Sequence, residues 1–74
     1  MKRIDFFEEK EPVLLGEIRV RGEKGELLKS AGICEGVRAE IFLKDKENMI
    51  LKVGEMKIGL SENVYGKIFA LPIA

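Results

Sequence analysis

Histidine is missing from this chain altogether. That removes the commonest general base near neutral pH and the imidazole ligand of most zinc and iron sites. Cys34 is the only cysteine, so no internal disulfide forms and the chain is not a stapled secreted scaffold. One thiolate cannot complete a tetrahedral structural metal site within one chain. Net charge is also lacking: thirteen basic residues balance thirteen acidic ones. The signs interleave, as in Glu17-Ile18-Arg19-Val20-Arg21 and Lys44-Asp45-Lys46-Glu47. Proteins that gain affinity by neutralising phosphates carry a basic excess or stripe, which makes nucleic acid an unfavoured partner here. No run approaches the ~20 apolar residues of a spanning helix. The apolar stretch near the N-terminus is too short for a signal-peptide core. The expectation is a soluble, cytoplasmic protein.

What is present suits one small domain. The 74 residues are 46% hydrophobic, the share of an ordinary globular protein. Surface scaling lets a chain of this size bury roughly 60% of its unfolded area, enough for one modest core.

Residues 1–12 read as a weakly structured lead-in, with Phe6 and Phe7 pinning it to a body spanning 13–74. From Val13 to Arg21 apolar and polar residues alternate, the pattern of a half-buried strand. Gly22 and Gly25 end it, and Glu26 to Ala31 reads as a short helix stopped at Gly32. Leu27, Leu28 and Ala31 carry the spacing that turns one helical face to a sheet. Val37 to Leu43 is the clearest strand, its odd positions apolar and Phe42 the exception. Met49, Leu51 and Val53 alternate again, and Met56, Ile58 and Leu60 return after Gly54-Glu55, which makes a β-hairpin. Ser61 to Val64 suits one helical turn capped by Ser61. Lys67 to Leu71 is the last strand, ended by Pro72. The fold class expected is mainly β: five short strands closed into a small barrel, with one short helix between the first two strands.

The residues offer little chemistry. No nucleophile stands with a base, no carboxylates pair at a readable spacing, and no phosphate-binding loop is present. Gly32 and Gly36 lack the third glycine of a dinucleotide site and suit a helix end and a turn. Cys34 is read as a small turn residue beside Ile33, with a redox thiol or a weak ligand for iron or zinc shared across subunits as the functional alternatives. Neither a catalytic residue nor a resident cofactor is expected, so the chain reads as a non-enzyme that works by presenting a surface. Phe42, Ile50 and Phe69 oppose the core parity and are candidate contact residues. An open edge strand is a further docking place, by strand addition.

The run from Glu26 to Ile41 resembles the central segment of the FeoA family of ferrous iron transport proteins. Leu28 matches that family's helix leucine, Gly32 and Gly36 its two turn glycines, and Val37 its strand start. Gly54, Ile58 and Leu60 match its hairpin, and Val64 and Ile68 its final turn and strand. The chain departs from the pattern at Gly25, Glu26 and Lys29, where arginines are common, at Glu35 for a proline, and at Ser61 for an arginine. The resemblance implies an SH3-like barrel and an accessory role in ferrous iron uptake. Its partner would be the cytoplasmic GTPase region of an iron permease, bringing the protein to the periphery of the inner membrane. Leu28, Gly32 and Gly36 join the contact candidates on that basis. Self-association to a dimer, an interfacial metal site at Cys34 and a nucleic-acid-binding barrel are the alternatives.

Overall fold

The computed structural model describes residues 1–73. Six strands form one antiparallel sheet in the order β1-β6-β2-β3-β4-β5. They are β1 (Lys2–Arg3), β2 (Pro12–Ile18), β3 (Arg38–Lys44), β4 (Asn48–Val53), β5 (Met56–Ser61) and β6 (Ile68–Pro72). A 3₁₀ turn at Ile4–Phe6 follows β1, helix α1 (Gly22–Ser30) joins β2 to β3, and α2 (Glu62–Tyr65) joins β5 to β6.

The sheet is open, which corrects the expected five-stranded SH3-like barrel. Its end strands, β1 and β5, do not pair. A two-residue strand is too short to close the gap with a ladder. The core is covered instead by side chains from the connections. Ile4 and Phe7 enter from the N-terminal segment, Leu28 and Ile33 from α1 and its exit, and Tyr65 from α2, all buried. They meet Val13, Leu15, Ile41, Met49, Leu51 and Ile68 on the inner face. With β1 counted, α1 lies between the second and third strands.

The N-terminal segment, expected to be weakly structured, is built into the sheet. Lys2 and Arg3 pair with Ala70 and Phe69, and Ile4 is fully buried. The Lys44 ammonium ties the segment down by donating to the carbonyls of Asp5 at 3.1 Å and Phe7 at 2.6 Å. Sequence pattern missed this because a two-residue strand has no periodicity to read.

Helix α1 begins at Gly22 rather than after Gly25. Gly25 is buried against the Val20 carbonyl, where a Cβ would clash, so this glycine permits close approach instead of breaking the helix. The stop at Gly32 holds. Ile33 N–H donates to Leu28 C=O at 2.8 Å and Gly32 N–H to Lys29 C=O at 3.0 Å. Gly32 has a φ of 89°, and Leu28 and Ile33 are both buried, which completes a Schellman motif with its apolar contact. Leu27, expected to face the sheet, points to solvent instead.

Candidate protein-contact surface

One irregularity decides what the outer face of the sheet presents. The β3–β4 register shifts between Ile41 and Leu43, so Phe42 is an extra residue in the ladder. Such a bulge reverses the side-chain parity beyond it. Ile41 faces the core, but Leu43, an odd position that alternation would also put inside, is 51% exposed. Leu43 pairs with Ile50, and Ile50 with Gly59. Paired residues share a face, so Leu43, Ile50 and Gly59 form one row on the outer side, opposite buried Met49 and Leu51. A shallow depression of about 250 Å³ lies there, lined by Leu43, Lys44, Asp45, Asn48, Met49 and Ile50.

Phe42 borders this row. Lys57 Nζ stands 4.0 Å and Lys10 Nζ 5.1 Å from its ring centroid, both within cation–π range. The next row across the sheet is Pro12, Glu40, Lys52 and Lys57. The patch therefore has an apolar centre with lysines at its margin. Asp45 shapes its far end by accepting from the N–H groups of Glu47 at 2.9 Å and Asn48 at 2.8 Å. These backbone bonds, Asn48 first, hold the Asp45 carboxyl below the usual aspartate range. Tyr65 closes the same loop by donating to Lys46 C=O at 3.0 Å. Burial raises its phenol above the ordinary tyrosine value, with Glu62 adding to the shift.

Phe69 lies in a separate zone. It shares the outer face of β6 with Leu71, which pairs with Leu14. The Arg19 guanidinium covers the Phe69 ring at 4.6 Å. Arg19 also donates to Glu17 at 3.0 Å; that hydrogen bond, more than the charge attraction, lowers the Glu17 carboxyl and raises Arg19. Leu14 and Leu71 are 37% and 42% exposed.

The structure thus brings Phe42 and Ile50 together and leaves the other candidates apart. Leu28 is buried and Gly32 ends its helix. Gly36, with a φ of 89°, donates to Leu15 C=O at 2.7 Å and so ties the turn to β2. Cys34 is half-buried, its thiol 3.8 Å from Gly32 C=O. No cluster of three or more Cys, Asp or Glu side chains with metal-holding geometry occurs among the described residues. Pattern reading missed Leu43 and Gly59: the bulge exposes the first, and an absent side chain makes the second useful. None of the described helices is long and apolar enough to cross a membrane.

No protein-family model matches the chain, and no curated protein matches it. Its fold is similar to the solution structure of iron(II) transport protein A from Clostridium thermocellum, with a TM-score of 0.84 at 23% identity. That match covers 99% of this chain and 46% of the other, so the chain spans under half the length of that relative. It is also similar to a crystal structure of an iron uptake regulatory protein, FeoA, with a TM-score of 0.80 at 14% identity over 96% of both chains. At these identities the shared property is the fold; the likeness is to the family the sequence resemblance named, while the sheet is open and not the barrel that the resemblance implied.

Proposed function

We propose that this chain is a non-catalytic, cytoplasmic accessory of ferrous iron uptake that acts by docking on the GTPase region of an iron permease. The observation that carries this reading is the fold likeness, over nearly the whole chain, to an iron(II) transport protein. The outer-face patch supports action by contact. Phe42, Leu43 and Ile50 offer apolar area beside Gly59, where nothing stands above the backbone. Lys10, Lys52 and Lys57 favour a partner with carboxylates around an apolar anchor.

The test is a titration of the purified chain against the cytoplasmic GTPase region of the ferrous iron permease of the same organism, with and without nucleotide. Saturable binding is expected, weakened about tenfold or more by Phe42→Ala or Ile50→Asn in folded variants. Leu71→Ser, in the separate zone, should leave it intact. Absence of binding at high micromolar concentration in every nucleotide state overturns the reading.

A further inference from the structure

Strand β5 pairs with β4 alone and forms one end of the sheet. Its hairpin has a two-residue turn, Gly54-Glu55, with the positive φ of 61° at Gly54. Val53 and Met56 therefore exchange both backbone bonds, and the alternation of an antiparallel ladder sets the rest. Ile58 and Leu60 bond inward to β4. The bond from Glu62 N–H to Glu47 C=O, 3.0 Å long, continues the same parity beyond the strand. The N–H and C=O groups of Lys57 and Gly59 and the N–H of Ser61 consequently point away from the sheet, with no partner among the described residues, while the Ser61 C=O already accepts the first bond of α2.

Natural sheets guard such edges with short strands and projecting lysines. The opposite edge follows that rule: β1 is two residues long, and Arg3 is held by Asp5 at 3.0 Å. The β5 edge does not. Its single lysine, Lys57, folds back over the sheet onto Phe42 of β3, away from the open side. Gly59, at the centre, has no side chain and nothing above it.

We infer that β5 is a self-pairing edge, at which a second copy of this chain adds its own β5 antiparallel across a twofold axis at Gly59. In this register Gly59 faces Gly59 of the second copy, and Lys57 and Ser61 face each other twice, so the outward N–H groups of all three residues find acceptors, the Ser61 C=O serving through its second lone pair. Centring on Lys57 would oppose two lysines. Centring on Leu60 would run the second strand into α2. Centring on Ile58 would leave Ser61 opposite Glu55, in the turn. The Gly59 register also sets half-buried Ile58 beside Leu60 of the second copy on the inner face. On the outer face it joins two Leu43–Ile50–Gly59 rows at a Gly59–Gly59 pair free of side chains, flanked by the two Lys57–Ser61 pairs. This inference is independent of the proposed permease contact, since that patch remains exposed in the pair. The interface is small, of the weak class burying less than about 1,200 Å².

The experiment is sedimentation equilibrium of the chain alone up to about 1 mM, with amide exchange measured by NMR at low and high concentration. A reversible dimer is expected, with concentration-dependent protection at the Lys57, Gly59 and Ser61 amides. Ser61→Lys places lysines opposite Lys57 and should weaken the dimer about fivefold. Adding Lys57→Glu to it restores opposite charges and should return the affinity to the starting level or beyond. Ser61 is exposed and its hydroxyl caps nothing in α2, so folding should survive both changes. A monomer at about 1 mM, protection elsewhere, or a dimer that Ser61→Lys leaves unchanged or strengthens overturns the inference.

Discussion

The ammonium of Lys57 on β5 sits 4.0 Å from the ring centroid of Phe42 on β3, spanning the intervening strand β4. The pair links three strands on the outer face, and the bulge at Phe42 places the ring where it can be reached. A double-mutant cycle of Phe42→Leu and Lys57→Met in urea should give a coupling of about 0.5–1 kcal/mol. Additive effects of the two changes would remove the interaction.

The N-terminal segment should behave as core. Ile4 is fully buried and Phe7 nearly so, so Ile4→Ala and Phe7→Ala should each cost about 2–5 kcal/mol in denaturant unfolding. Phe6→Ala, which removes a ring 64% exposed, should be nearly neutral. Equal effects at the three positions would contradict the placement of this segment.

Gly25 and Gly22 share a helix but not a tolerance for side chains. A Cβ at Gly25 meets the Val20 carbonyl, while the space around Gly22 is open. Gly25→Ala should lower the thermal midpoint markedly. At Gly22 the positive φ of 70° limits the cost of Gly22→Ala to about 1–2 kcal/mol. Calorimetry of the two variants should rank them in that order.

Asp45 should make stability sensitive to acid. Its carboxyl is held low in the folded state by the N–H groups of Asn48 and Glu47. The stabilisation is therefore complete above the unfolded aspartate pKa, about 3.9, and is lost as pH falls through the lower folded value. Asp45→Asn should flatten the acid side of a stability–pH curve and lower the urea midpoint at neutral pH. An unchanged acid limb would show that the loop does not hold the carboxylate.

Local signals carried much of this fold. Alternation around Ile41 and Leu51, the Gly54 hairpin turn and the Gly32 helix stop depend on nearest neighbours, and each stands where the pattern puts it. The one-turn helix after Ser61 also forms, although its expected side-chain cap bond does not. The candidate contact surface was half legible. Phe42 and Ile50 broke the core parity and are found together, whereas Leu43 kept that parity and is outside.

Composition and periodicity by themselves determined a mainly β domain without histidine, with a single thiol, a hairpin and a glycine-stopped helix. Those properties follow from residue type and short-range backbone preference. Tertiary structure alone decided that the sheet stays open, that residues 2–7 complete its core, that Gly25 serves a close approach and that Leu43 faces out. Each of these depends on which chain segments meet across the fold. A bulge that reverses a strand, or a carbonyl that tolerates only glycine, leaves no mark on local alternation.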